Sequence, residues 1–115
     1  MSINDVEMCQ ARIQEIKQEL GELGDMRPGS ISEQYNVCGN PTCRCKDPKE
    51  PKKHGPYYQL SYSHQGRSTT EFVKREAVAE VRQQLDNHRT FKRLSKEWID
   101  LSVRIARLRK KEASR

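Results

Sequence analysis

Two runs of apolar residues, stepped alternately by three and four positions, constrain this chain more than any other feature. Val6, Cys9, Ile13, Ile16, Leu20 and Leu23 follow the steps 3, 4, 3, 4, 3, and so do Phe91, Leu94, Trp98, Leu101, Ile105 and Leu108. That period lines the apolar side chains along one stripe of an α-helix, and two stripes of equal length can cover one another. The spacing predicts a helix over residues 2–24, with Gly24 as its stop, and a second over 75–112. Val78, Val81, Leu85 and His88 extend the second stripe upstream, but the step from His88 to Phe91 is three where four is due. Such a stammer overwinds a continuous helix or breaks it. The expectation is one long helix, bent there. Cys9 and His88 lie on the stripes and read as packed residues rather than ligands.

Charge favours pairing the two helices. Residues 2–25 carry two basic and six acidic groups, net −4, whereas residues 91–115 carry nine basic and three acidic, net +6. Opposite signs suit an antiparallel coiled coil within the chain, or a homodimer through the same helices. Matching all six layers sets Val6 against Leu108 and Leu23 against Phe91, but brings Arg12 near Arg104 and Glu19 near Glu97. Sliding by one heptad sets Asp5 beside Arg104 and Arg12 beside Glu97, and uncovers Leu20, Leu23, Ile105 and Leu108. Exposed ion pairs contribute roughly 0 to 1 kcal/mol, against about 1.5 to 3 for burying one large apolar side chain. Full layering is therefore expected, unless a sheet covers those four residues.

Between the helices the period changes. Ile31, Glu33, Tyr35 and Val37 alternate with Ser32, Gln34 and Asn36, which predicts a half-buried strand. Residues 57–62 alternate too, with Tyr58, Leu60 and Tyr62 on one face, and residues 67–73 follow a turn at Gly66. The fold class is α+β. An N-terminal helix leads into a small antiparallel β-sheet with a cysteine loop, over residues 30–73, and a long C-terminal helix packs antiparallel on the first. With 115 residues, 33% hydrophobic and 33% charged, residues 1–115 form a single domain with a modest core and little room for a large enzyme pocket. No apolar run approaches the roughly 20 residues of a membrane span, and the first residues lack the pattern of a signal peptide. The chain reads as cytoplasmic, with no membrane partner.

Cytoplasmic cysteines are more often metal ligands or free core thiols than disulfides. Cys38-Gly-Asn-Pro-Thr-Cys43-Arg-Cys45, with His54 following after eight intervening residues, supplies three thiolates and an imidazole. This set suits a structural, tetrahedral Zn²⁺, although Cys-x4-Cys-x-Cys departs from the commoner Cys-x2-Cys knuckle. A disulfide or unligated cysteines are the other readings. Cys45, one residue from Cys43, is the weakest member of the set, and His64 or Asp47 could replace His54. Four protein ligands leave no open position, and no catalytic triad or carboxylate pair is legible, so an enzyme is not expected.

The run Gln34-Tyr35, Cys38-Gly39, Pro41, Cys43-Arg44-Cys45, His54-Gly55-Pro56-Tyr57-Tyr58, Leu60-Ser61-Tyr62 and Gly66, continuing into Val81-Arg82, Asn87 and Arg89 to Leu94, resembles a family of small uncharacterised prokaryotic proteins. These are built around Cys-Gly-x-x-x-Cys-x-Cys and His-Gly-Pro-Tyr. The resemblance covers about residues 30–100 and implies an architecture and a metal loop, not a function. Where the family pattern has Lys two residues after the Cys-Gly start, this chain has Asn40 followed by Pro41.

The net charge of +6 suits a polyanionic partner. Arg82, Arg89, Arg93 and Lys96 are spaced by 7, 4 and 3, on one face of the long helix, while Arg44, Lys46, Lys52 and Lys53 surround the metal loop. These eight are the candidate phosphate contacts of a zinc-stabilised nucleic-acid-binding accessory or regulatory protein for DNA or RNA. Acidic neighbours such as Glu97 and Asp100 would instead make the helical stripe a solvated, internally paired face. Tyr35, Tyr57, Tyr58 and Tyr62 could stack on bases or serve as core. Arg104, Arg107, Arg109, Lys110, Lys111 and Arg115 form a basic tail. The alternative is a non-enzymatic adaptor or inhibitor that binds a protein partner through unpaired helical surface.

Overall fold

The computed structural model describes residues 2–113, with side chains from Asn4 onward. Arg115, counted in the basic tail, lies outside them. The element order is α1 (Ser2–Glu22), β1 (Ser30–Asn36), a 3₁₀ turn at Arg44–Lys46, β2 (His54–His64), β3 (Arg67–Val73), a 3₁₀ turn at Arg75–Ala77, and α2 (Val78–Ala113). The chain forms two compact units. One comprises the residues up to Met26 together with those from Asp86 on; the other is Arg27–Leu85. No helix among the described residues is long and apolar enough to cross a membrane.

In the helical unit, the apolar stripes meet as their spacing requires. Cys9, Ile13 and Ile105 form a buried cluster, with Val6, Trp98 and Leu101 packed against it. Ile16 and Leu94 are also fully buried. The register combines features of both sequence alternatives. Ile105 stays covered, as in full layering, yet Arg12 Nε lies 2.6 Å from Glu97 Oε2 and its Nη2 donates to Oε1 at 3.0 Å. A long guanidinium stem spans the offset that short side chains could not, so packing and ion pairing do not exclude each other. Arg12 also reaches Glu19, at 3.2 Å. Phe91, assigned to the seam, is 40% exposed, a partial departure at the end of the stripe nearest the stammer. The hydrogen-bonded helix itself runs uninterrupted through that point.

In the second unit, the strands form a three-stranded antiparallel sheet in the order β1-β2-β3. Gln65 and Gly66 both take positive φ, 51° and 77°, the geometry that lets a two-residue hairpin turn follow the twist of its strands. The register pairs Ile31 with Leu60 and Tyr58 with Val73. One face therefore carries Ile31, Tyr58, Leu60, Tyr62 and Val73. Leu60 is fully buried there with Val81 and Leu85 from the first turns of α2, and Ile31, Tyr62 and Val73 pack against them. Tyr58 and Tyr62 each also lie under a cation, Arg82 at 5.9 Å and Arg27 at 6.0 Å from the ring centroids.

The expected half-buried alternation of the first strand fails beyond its middle. Tyr35 is 53% and Val37 54% exposed. A bulge between Gln34 and Asn36 shifts the pairing, and the strand ends before Val37. An extra unpaired residue destroys the two-residue period on which the alternation rested.

Candidate metal centre

Ladder pairing brings the two ends of the cysteine loop together. Asn36, the last residue of β1, pairs with His54, the first residue of β2, so residues 37–53 form a closed loop whose neck is a strand rung. Gly55 makes this approach feasible. At its φ of 140° a Cβ would sit 2.7 Å from Gln34 O, so any larger residue would push His54 away from β1.

Within the loop, polar side chains and backbone do the folding, because almost nothing apolar is available. Asn40 Oδ1 accepts hydrogen bonds from the Thr42 amide at 3.0 Å and the Thr42 hydroxyl at 2.8 Å, while its carbonyl accepts from the Cys43 amide at 3.2 Å. This turn sends the chain into the 3₁₀ segment carrying Cys45. The Lys52 amide donates to Arg44 O at 3.0 Å and ties down the returning limb. Cys45, the weakest candidate by spacing, is the best buried of the set at 2% exposure, and its Sγ accepts the Cys38 amide at 3.3 Å.

The four side chains chosen from the sequence converge. One ligand atom from each of Cys38, Cys43, Cys45 and His54 lies within 4.8 Å of every other. The Cys38 and Cys45 sulfurs are 3.6 Å apart, and Cys43 Sγ lies 3.1 Å from His54 Nε2. Bonds of about 2.3 Å to sulfur at tetrahedral angles put two thiolates about 3.8 Å apart, so the spacing matches joint ligation of one ion. It does not match a disulfide, whose sulfurs are about 2.05 Å apart. All four cysteines of the chain are free thiols, and Cys9 is buried in the helical cluster as expected. The cluster can hold a metal ion.

Electrostatics in the cluster point the same way. A backbone hydrogen bond from Cys45, followed by the Cys38, Cys45 and His54 side chains, lowers the Cys43 thiol to about 6. The backbone hydrogen bond at Asn40, then His54, lowers Cys38, whereas His54 itself is raised by its contacts with the Cys38 and Cys43 sulfurs. For Cys45 the Cys38 amide favours the thiolate, but burial and the adjacent sulfurs together outweigh it and push the thiol up. Negative charge thus accumulates until the third sulfur resists ionising. A dication removes that resistance.

The alternative ligands are elsewhere. His64 ends β2, ten residues from His54 and about 33 Å along an extended strand. Asp47 Oδ1 accepts the Lys49 and Glu50 amides at 2.9 and 3.4 Å, closing its own turn.

The candidate phosphate contacts divide. Arg44, Lys46, Lys52 and Lys53 are exposed around the cluster, and among the described residues none of them is in an ion pair. On α2, Arg89 is paired with Asp86 and Lys96 with Asp100, each at 2.8 Å, Arg93 lies close enough to Glu97 to favour its charged form, and Arg82 sits over Tyr58. The stripe is thus largely engaged with its own helix and sheet, as the acidic neighbours suggested. Sequence reasoning did not single out Phe72, which is 74% exposed, and assigned Val37 only to the half-buried first strand. The signal available was Phe72's alternation with Val73, which places it on the face opposite the core.

Neither the curated proteins nor the solved structures contain a match to this chain. A family profile described as Domain of unknown function (DUF6788) matches residues 6–83, which takes in most of α1, the sheet and the whole metal loop but stops short of the Arg89 to Leu94 segment. On that coverage, the chain belongs to this family of unknown function.

Proposed function

We propose that this chain is a zinc-stabilised nucleic-acid-binding accessory or regulatory protein, in which the metal loop contacts phosphate. Three soft thiolates and one imidazole select Zn²⁺ over hard cations, and four protein ligands close the coordination sphere, which suits a structural rather than a catalytic role. Residues Cys38, Cys43, Cys45 and His54 would bind it and cross-link the neck of the loop to its tip. With three thiolates the site carries about −1, and its cationic neighbours offset this.

One observation carries the phosphate reading. Arg44, Lys46, Lys49, Lys52 and Lys53 crowd a single loop and are exposed, and among the described residues no acidic side chain pairs with them. With Asp47 and Glu50 the loop still holds five cations to two acids, and a polyanion relieves that excess while releasing its own counterions. The test is a salt titration of binding to random-sequence RNA and DNA. Each lost phosphate contact lowers the magnitude of the log–log salt slope by about 0.7 to 0.9, so Lys52→Glu with Lys53→Glu should flatten it by roughly 1.4 to 1.8. Binding indifferent to both salt and charge reversal excludes this function.

The adaptor reading is favoured by a different observation. Ile99 and Val103, 62% and 44% exposed, line an apolar hollow on α2 with Trp98 and Ala106. Ile99→Asp would abolish such binding and leave the salt-dependent binding intact.

A further inference from the structure

The sheet has a second face. Pleating places Gln34, Tyr57, Gln59, Ser61, Thr70 and Phe72 opposite the buried Leu60 side, because Gln34 pairs with Tyr57, Gln59 with Phe72 and Ser61 with Thr70. Most of these residues are the hydroxyls and amides a solvated face calls for. Ser61 and Thr70 hydroxyls lie 3.3 Å apart, and Ser63 and Ser68 hydroxyls 3.0 Å apart. The two aromatics break the pattern. Phe72 is 74% and Tyr57 42% exposed, and they are diagonal neighbours across β2 and β3. Both line a hollow of about 450 Å³ with Val37, Cys38 and His54, and both line a second hollow of about 310 Å³ with Lys74 and Arg75.

We propose that this face is a stacking platform for single-stranded RNA, with Tyr57 and Phe72 each receiving an unpaired base and the flanking cations holding the phosphates. The inference rests on the nucleic-acid reading above and names its substrate. Exposed rings on a flat sheet offer π-faces that any unpaired base can cover, whereas a duplex keeps its base faces stacked internally. Cations gather at one end of the aromatic pair, with Lys52 and Lys53 just before β2 and Lys74 and Arg75 just after β3, because antiparallel pairing puts the start of β2 and the end of β3 at the same end of the sheet. That arrangement fits a charged backbone held beside one end of a pair of stacked bases. An apolar protein groove-filler would meet hydroxyls and lysines instead. The hydroxyl rows beyond Phe72 suit the ribose 2′-OH, which both donates and accepts. From Ser68 to Phe72 the strand rises about 13 Å, room for roughly two nucleotides.

The test uses the full Zn²⁺-loaded chain and fluorescence anisotropy with labelled oligo(U) of about ten nucleotides, a site size within the usual range for such platforms. Controls are oligo(dT) and an RNA hairpin duplex. Oligo(U) should bind at least tenfold tighter than the duplex and detectably tighter than oligo(dT). Phe72→Ala and Tyr57→Ala should each weaken oligo(U) binding by roughly fivefold or more and leave duplex binding unchanged, while Phe72→Trp should retain it. Photo-crosslinking of oligo(U) to the wild-type chain should map to peptides containing Tyr57 or Phe72, a readout that does not depend on the variants folding. Preference for duplex, equal binding of oligo(dT), alanine variants with wild-type affinity, or crosslinks confined to other segments would each overturn the proposal. Salt-dependent binding that responds to Lys52→Glu with Lys53→Glu but ignores Phe72→Ala overturns this inference alone. Absence of binding to every polynucleotide overturns the proposed function with it.

Discussion

Removing the metal should destabilise the sheet-bearing unit by an amount that its topology sets. An ion shared by Cys38 and His54 closes a loop of roughly 17 residues. In the chain-entropy account, a cross-link around a loop of this size stabilises the folded state by about 3 kcal/mol. Mass action gives a consistent figure, since free metal at about a hundred times its dissociation constant stabilises by about 2.7 kcal/mol. For a unit of this size, each kcal/mol moves the melting midpoint by about 4 to 8 °C, so Zn²⁺ should raise it by roughly 11 to 24 °C. The assay is thermal unfolding followed by circular dichroism, with the protein first stripped by chelator and then titrated with Zn²⁺. Co²⁺ substitution gives an independent signal, the intense visible absorption of a tetrahedral thiolate site. His54→Ala and Cys38→Ser should lose both the shift and the spectrum, whereas His64→Ala should keep them. Equal midpoints with and without saturating Zn²⁺, or a wild-type shift in Cys38→Ser, would refute the reasoning.

Other outcomes follow from the same geometry. Metal affinity should fall with acidity, because binding displaces protons from the ligands. Cys43 holds its thiolate down to about 6, so the decline should steepen below that pH, where the metal must displace a proton from Cys43 as well, as a competition titration with a chromophoric chelator would show. Glu97, held below the usual carboxylate range by its hydrogen bond with Arg12, contributes stability above its unfolded value of about 4.5 and loses it as pH falls through the lower folded value. Glu97→Gln should therefore cost stability at pH 7 and converge with wild type in strong acid, measured by urea midpoints at each pH. Leu60→Ala, at a fully buried site, should destabilise by about 2 to 5 kcal/mol, whereas Ile99→Ala on the exposed face of α2 should change stability by less than about 0.5 kcal/mol; denaturant unfolding separates them. Arg89→Glu should weaken polynucleotide binding less than Lys52→Glu does, because Arg89 is already committed to Asp86, and a salt-titrated binding assay compares the two.

Local patterns made several elements legible. The 3-4 spacing from Val6 to Leu23 specifies which face of α1 is buried, whatever covers it, because helical periodicity is a property of the backbone. The same holds for Tyr58, Leu60 and Tyr62 on β2. The metal ligands were readable for a chemical reason: three thiols and an imidazole within a short, core-poor segment have few ways to stabilise it other than a shared cation.

What the residue order left open depended on contacts between segments distant along the chain. The helical register could be argued as layering or as ion pairing, and only the packed helices reveal that the reach of Arg12 satisfies Glu97 while Ile105 stays buried. The bulge after Gln34 arises from pairing with β2, so the exposure of Tyr35 and Val37 was invisible in an alternation counted on one strand. Choosing His54 over His64 and Asp47 likewise required the Asn36–His54 rung, which fixes which imidazole stands at the neck of the loop. The sequence by itself determined the helical faces, the antiparallel strands and the chemistry of the ligand set, since each follows from short-range period or donor type. The tertiary structure alone decided the register, which cations remain unpaired and where Tyr57 and Phe72 meet, because these are set by which distant segment arrives alongside.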